Sequence, residues 1–341
     1  MGFDLVINYV EVSNAKSGRV KLLLTGPSGL VGRALRQSLI SRTSLALCCA
    51  YRILPVAEPL SLLDVAVGNI ENITDWSALL TDVDVVLHTA AIAHVQGAIT
   101  KQLQYEFDAV NTVATLTLAR QAADAGVKRF IFLSTIKVLG DSTSGSAFNS
   151  DTKPAPIDEY ACSKWRAEQG LLALAAETGM EVVIIRPVLV YGPGVKANFL
   201  NMMRWLHKGV PLPFGAIYNQ RSLVALDNLV DLLVTCIDHP AAANQTFLVS
   251  DGEDLSTTEL LSRMAKALGK SPRLLPLPCW ILEWGAKLLG KQALAQRLCG
   301  SLQVDITKTC KLLGWRPSVG VDTALMQAAM HFLSQQHDEY G

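Results

Sequence analysis

The 341-residue chain has no excess charge of either sign, because thirty Lys and Arg residues balance thirty Asp and Glu. Without a global field it has no broad attraction for nucleic acid or an anionic membrane surface, and a small-molecule partner is expected. The seven cysteines, Cys48, Cys49, Cys162, Cys236, Cys279, Cys299 and Cys310, include no Cys-x-x-Cys spacing and have no histidine cluster beside them. Structural zinc is therefore not expected, and the odd count suits a reduced, cytoplasmic chain. The N-terminus lacks a basic segment followed by an apolar core of signal-peptide length, and no apolar run approaches the length that spans a bilayer. The stretch from Leu274 to Leu289 is apolar enough to suggest membrane contact, but its prolines, Glu283 and Lys287 favour a packed cap helix. Internal repeats and low-complexity tracts are also lacking.

Half of the residues are apolar, enough for a large core and a second, smaller lobe. Residues 1–18 read as an irregular leader. Short apolar strands follow at Val20 to Leu24, Leu45 to Ala50, Val83 to His88, Phe130 to Leu133 and Val182 to Ile185, with helical stretches between them, clearest at Gln104 to Ala125 and Glu159 to Thr178. Continuous apolar strands alternating with helices predict an α/β fold, a doubly wound parallel sheet buried on both faces. Past Pro187 the texture changes to Pro- and Gly-rich loops and short helices, one opened by the capping box Ser256-Thr-Thr-Glu259. The expected division is a dinucleotide-binding domain over 19–191, with 223–250 returning to it, and a substrate-binding lobe from 192–222 and 251–335.

Thr25-Gly-Pro-Ser-Gly-Leu-Val-Gly32 follows the first strand and opens a helix. Glycines at 26, 29 and 32 permit a tight turn, close backbone approach to a pyrophosphate and tight helix packing, with the phosphate charge at the helix N-terminus. The first two glycines are three residues apart, where the common dehydrogenase fingerprint has them two apart. At the end of the second strand an acid would suit a ribose 2′-hydroxyl and an Arg a 2′-phosphate. That strand ends Cys49-Ala-Tyr-Arg52, without an acid, so NADP(H) is favoured, with NAD(H) possible; the alternative reading of Arg52 is a solvated loop residue.

Tyr160-Ala-Cys-Ser-Lys164 places a phenol and an ammonium on one helix face. The ammonium is expected to lower the phenol pKa towards the working pH, giving acid/base chemistry at an alcohol or carbonyl. By itself the spacing occurs on many solvated helix faces.

With Gly26, Gly29, Gly32, Phe132-Leu-Ser-Thr135, Tyr160 and Lys164 in order, the chain resembles the extended short-chain dehydrogenase/reductase family, closest to its nucleotide-sugar epimerase and 4-reductase branch. Further matches are His88-Thr-Ala-Ala91, Asn111, Arg186-Pro-Val-Leu-Val-Tyr-Gly-Pro-Gly194, Val195-Lys-Ala-Asn198-Phe199 and Asn219-Gln-Arg221-Ser222. The resemblance implies a Rossmann-like fold with Thr135, Tyr160 and Lys164 as catalytic residues. It implies cofactor contacts at Gly26, Ser28, Gly29, Leu30, Val31, Asn69, Ile70, Thr89, Ala90, Ala91, Asn111, Pro187 and Val190, beside the Tyr, the Lys and Arg52. It implies substrate contacts at His94, Thr135, Asn198, Phe199, Phe214, Arg221 and Arg297, with Asn198 and the arginines on a UDP-sugar pyrophosphate, a task that suits a bidentate guanidinium. A helix cap for Asn198 and a surface charge for Arg221 are the alternatives. His88 and His94 also read as packed, hydrogen-bonded structural residues.

The same triad supports several reactions. Ile136 and Lys137 stand where dehydratases of the family carry an Asp-Glu pair, which argues against a 4,6-dehydratase. The NADP-like strand end, with Thr135-Ile-Lys-Val138, leads to the expectation of a 4-reductase of a UDP-4-keto-6-deoxy-N-acetylhexosamine, giving UDP-N-acetylquinovosamine or UDP-N-acetylfucosamine for surface polysaccharide (O-antigen) synthesis. The alternative is a UDP-glucose or UDP-N-acetylglucosamine 4-epimerase with tightly held NAD. A non-catalytic nucleotide sensor is disfavoured by the intact triad. The resemblance also implies a homodimer through the helices at 104–125 and 159–178.

Overall fold

In the computed structural model, which describes residues 19–56, 61, 63–93, 101–288, 290 and 292–338, strand and helix alternate from the start. The order is β1 (Val20–Thr25), α1 (Leu30–Ile40), β2 (Leu45–Tyr51), β3 (Val65–Ala66), α2 (Ser77–Leu80), β4 (Val85–His88), α3 (Lys101–Asp108), a π-helical segment (Ala109–Ala114), α4 (Thr115–Asp124), β5 (Arg129–Leu133), α5 (Glu159–Thr178) and β6 (Glu181–Pro187). Then come β7 (Leu189–Tyr191), α6 (Ala197–His207), β8 (Arg221–Ala225), α7 (Leu226–Asp238), β9 (Gln245–Val249), β10 (Asp254–Leu255), α8 (Thr257–Ala267), α9 (Cys279–Leu288), α10 (Gln292–Cys299), α11 (Thr307–Leu313) and α12 (Val321–Asp338). The expected leader, residues 1–18, and His94 lie outside the described residues.

Seven strands form one parallel sheet in the order β3-β2-β1-β4-β5-β6-β9. This is the doubly wound, Rossmann-like α/β fold. Side chains alternate between its two faces, so neighbours in sequence enter different cores. Leu22, Leu24, Val85, Leu87, Ile131 and Val183 pack with α1 and α7, whereas Leu23, Val86, Phe130, Phe132, Val182 and Ile184 pack with α4 and α5. Each such fully buried Leu, Val or Phe contributes about 1.5–3 kcal/mol of transfer free energy. The strand order turns back between β1 and β4, and the crevice at the carboxyl ends of those strands is where such sheets bind ligands.

Within residues 223–250, β9 is the far edge of the main sheet, while β8 pairs with β7 and β10 in a separate three-stranded sheet. A third apolar cluster, with Phe199, Met203, Leu261, Met264 and Phe332, joins α6, α8 and α12. Within the stretch read as a packed cap helix, α9 does form and packs on α10 with Ile281 and Leu282 half-buried, but it buries none of its residues fully. No described helix is long and apolar enough to cross a membrane.

Candidate active site

The glycine turn leaves β1 at Thr25 and enters α1 at Leu30. Gly26 adopts φ +72°, a left-handed conformation that a side chain would strain. A Cβ on Gly26 would lie 2.6 Å from the Ala90 nitrogen, and one on Gly32 would lie 2.0 Å from the Gly26 oxygen, so neither position admits one. Gly29 caps the helix with extended backbone and no side-chain bond, leaving the first amides of α1 turned to the crevice. Thr89 closes the other wall, its hydroxyl donating to the Thr25 carbonyl at 2.7 Å. Ser28 is exposed, Leu30 and Val31 are half-buried, and the small residues Ala90 and Ala91 continue from Thr89 along the crevice. A cradle that any Cβ would fill, lined by unpaired helix amides, suits a dinucleotide pyrophosphate.

Beside the turn, His88 is locked in place. Its Nδ1 lies 2.7 Å from the Thr25 Oγ1 and its Nε2 lies 2.9 Å from the Thr115 Oγ1. Because the Thr115 hydroxyl already donates to the Asn111 carbonyl at 2.9 Å, the imidazole must donate from Nε2 and accept at Nδ1. Burial, aided by the Lys164 charge, pushes the ring down to about 3, so it is a neutral bridge. Asn111, in the π-helical segment, donates to the Ile92 carbonyl and to the Ser163 Oγ at 3.0 Å each and accepts from the Ile92 amide at 2.9 Å. It thereby fixes the loop after β4 to α5.

The reacting groups come from the end of β5 and the start of α5. Asp158 caps α5, accepting from the Ala161 amide at 2.8 Å, and also pairs with Lys137, which ties the Thr135 loop to the helix bearing Tyr160. Gly179, at φ 78°, ends the helix. Thr135 is buried, accepts from the Lys137 amide at 3.3 Å, and is hydrogen-bonded to the Tyr160 phenol. Tyr160 and Lys164 share one face of α5, but the lowering of the phenol by the ammonium does not result. Burial is the largest influence on Tyr160 and pushes it up to about 12, opposed by the Thr135 hydrogen bond. Burial likewise pushes Lys164 down to about 7, against the pull of Glu168.

Behind Lys164 stands a constellation that sequence reasoning missed. The Lys164 Nζ lies 4.0 Å from the centroid of the Phe132 ring. Glu168, fully buried, accepts from Ser134 at 2.5 Å and pairs with Arg186 through two bonds of 3.0 and 2.5 Å. Ser134 adjoins Thr135 and Arg186 adjoins Pro187, so the pair sets the two strand ends that border the triad. The Lys164-to-Glu168 interval of one helical turn was the available signal.

The other expected residues are more scattered. Pro187 ends β6, buried, and Val190 is half-buried in β7. Asn69 is exposed ahead of Ile70, which packs partly against the sheet core. Arg52 is exposed past the end of β2, its carbonyl accepting from the Gly68 amide at 3.2 Å. Phe199 is 2% exposed, with its ring centroid 5.5 Å from that of Tyr191, a core position. Phe214 is half-buried and its carbonyl accepts from Thr258 at 2.7 Å. Asn198 is exposed in the first turn of α6, directly after Ala197, which holds φ 55°, a conformation rare without glycine. Arg221 and exposed Arg297 are together: the Arg221 guanidinium donates to the Arg297 and Gly300 carbonyls at 3.0 Å each. Burial foremost lowers the Arg221 pKa, opposed by the Asp141 carboxylate, with the Arg297 charge adding to the lowering.

A family model described as the NAD dependent epimerase/dehydratase family matches residues 22–250. The chain belongs to this family. It is 48% identical over 314 residues to a UDP-glucose 4-epimerase of Vibrio cholerae, covering 92% of this chain and 95% of that one. An N-acetyl-α-D-glucosaminyl-diphospho-ditrans,octacis-undecaprenol 4-epimerase of Escherichia coli O157:H7 is 26% identical over 330 residues, covering 91% and 96%. Among solved structures, the fold matches a UDP-glucuronic acid 4-epimerase from Bacillus cereus in complex with NAD (TM-score 0.76, 22% identity, 93% of this chain and 99% of that). It also matches a UDP-glucose 4-epimerase from Thermotoga maritima with UDP-glucose (TM-score 0.74, 21% identity, 93% and 100%).

These findings correct two expectations. The 4-reductase reading is overturned by the 48% identity, across 92% of the chain, to a UDP-glucose 4-epimerase. The NADP preference behind it is not supported either. It rested on Arg52, whose exposed side chain beyond β2 fits the solvated-loop alternative, and the matching family is described as NAD dependent.

Proposed function

We propose that this protein is a UDP-hexose 4-epimerase, acting on UDP-glucose or UDP-N-acetylglucosamine with tightly held NAD. The observation that carries the reading is the Thr135–Tyr160 hydrogen bond beside buried Lys164, on a fold 48% identical to a UDP-glucose 4-epimerase. Gly26, Ser28, Gly29, Leu30 and Val31 would hold the pyrophosphate of the dinucleotide. Asn69 and Ile70 would border its adenine end, and Thr89, Ala90, Ala91, Asn111, Lys164, Pro187 and Val190 its nicotinamide end. When bound, the dinucleotide supplies a reversible hydride acceptor for C4 of the sugar.

Tyr160 takes the proton of the C4 hydroxyl as the C4–H bond breaks, and returns it when the 4-ketone is reduced on the opposite face. Thr135 holds the same oxygen throughout, and Lys164 sets the charge at which the phenol can ionise. To take that proton Tyr160 must first be ionised, and the desolvation that pushes its pKa up to about 12 makes the phenolate a strong base once formed. Arg221, with Arg297, grips the sugar diphosphate and anchors it while the ketone turns over, and Asn198 and Phe214 border the sugar. The lobe over 192–222 and 251–335 supplies these contacts. Exposed Tyr105, Val113 and Leu172 on the α3–α4 and α5 surface support a homodimer formed through those helices.

The test is to incubate purified protein with UDP-glucose, without added nicotinamide nucleotide, and to resolve the C4 epimers. Interconversion is expected, with NAD released on denaturation; its absence for both UDP-glucose and UDP-N-acetylglucosamine would refute the reading.

A further inference from the structure

Three large apolar side chains of α9 face solvent: Trp280, Trp284 and Leu288 are 68%, 65% and 67% exposed. Their spacing puts them on one face of the helix. The other face, with Ile281, Leu282 and Gly285, is half-buried where α9 packs on α10. Leu275, in the segment ahead of the helix, is 50% exposed. A single exposed Leu is ordinary, but a stripe holding two tryptophans marks an interaction surface.

Charge selects what covers it. The chain as a whole is neutral, yet between residues 266 and 297 six basic residues, Lys266, Lys270, Arg273, Lys287, Lys291 and Arg297, stand against one acid, Glu283. Lys266, Lys270, Arg273 and Lys287 are exposed, Lys287 on α9 itself and Arg273 in the segment that leads into it. A second copy meeting this face across a two-fold axis would bring like charge against like. An anionic lipid surface answers both features, since Trp settles at the headgroup level and Lys and Arg are drawn to the phosphates. With ten residues, α9 is too short to span a bilayer and suited to lying in its interface.

We infer that α9 is an interfacial helix that docks this protein on an anionic bilayer, with Trp280, Trp284 and Leu288 in the headgroup boundary and the exposed Lys and Arg on lipid phosphates. The anchor is small, so docking is reversible and needs the charge as well as the apolar stripe. On its other side α9 packs on α10, whose last turn supplies the Arg297 carbonyl that accepts from Arg221.

The test is flotation of the full chain with vesicles of phosphatidylcholine alone or mixed with phosphatidylglycerol. Wild-type protein is expected to float with the mixed vesicles only, with a blue shift of Trp emission and release at high salt. Trp280→Ser/Trp284→Ser and, separately, Lys270→Glu/Lys287→Glu should each lose about tenfold or more of the bound fraction, with unchanged thermal midpoints. The charge pair keeps the test valid if the Trp pair folds poorly. Failure of the wild type to float with either vesicle overturns the inference, as does equal flotation of both variants. Conversion of a dimer to a monomer by the Trp pair, without vesicle binding by the wild type, would make the face a contact between copies and overturn it too.

Discussion

Lys164 holds its Nζ 4.0 Å from the centroid of the Phe132 ring, in a fully buried site where the carboxylate drawing on its charge, Glu168, is already committed to Arg186. The ammonium is therefore costly. Its pKa falls from 10.5 to about 7 in the folded protein, so between these values the unfolded chain binds the extra proton and stability rises with pH; below pH 7 the full cost is present. Lys164→Met should remove catalysis yet raise the thermal midpoint at neutral pH, the gain shrinking towards pH 10.5. Unfolding curves of both proteins across that range check it, and a difference independent of pH would contradict the burial argument.

The glycine turn makes a second prediction, on stability alone. Gly32→Ala places a Cβ 2.0 Å from the Gly26 oxygen, whereas Gly29→Ala places one at 3.4 Å from the same atom. The first should cost about 1–3 kcal/mol in denaturant unfolding, as overpacking of a rigid site does, and the second clearly less. Equal effects would mean the turn yields more than its packing allows.

A third concerns the buried Glu168–Arg186 pair, whose side chains are 0% and 6% exposed. Arg186→Met leaves a buried carboxylate without its cation and should cost on the order of 3–5 kcal/mol. Adding Glu168→Gln should recover part of that loss, because the stranded charge is gone. Additive losses would show that the pair contributes through packing alone.

Substitutions in the site separate chemistry from binding. Tyr160→Phe should lower kcat by about 100-fold or more with little change in KM, because only proton transfer is removed. Arg221→Ala should act chiefly on KM for the UDP-sugar, leaving kcat within a few fold. Steady-state kinetics on UDP-glucose distinguish the two, and an unchanged kcat in Tyr160→Phe would contradict the role given to the phenol.

Much of the fold was legible because parallel sheets leave a plain trace, in continuous apolar strands separated by helices. The turn at Gly26 to Gly32 was legible because its glycines answer to backbone contacts within the same motif. What escaped depends on partners distant in sequence. Glu168 and Arg186 meet from a helix and a strand, so neither reveals the other by spacing. The direction of the Tyr160 shift is set by burial, which the interval to Lys164 does not encode. Arg52 looked like a phosphate ligand only on the assumption that it faces the crevice. The prolines, Glu283 and Lys287 pointed to a packed α9, and one face does lie half-buried on α10, but the pattern does not reveal that Trp280 and Trp284 stand exposed on the other. The choice between reductase and epimerase escaped for a different reason, since both use the same triad.

The most direct measurement is the fate of the C4 hydrogen. UDP-glucose deuterated at C4, given to purified protein without added nucleotide, should yield its C4 epimer with deuterium still at C4, because the hydride leaves the sugar and returns to it within one binding event. An epimer that has lost the deuterium, or no epimer at all, would contradict the account.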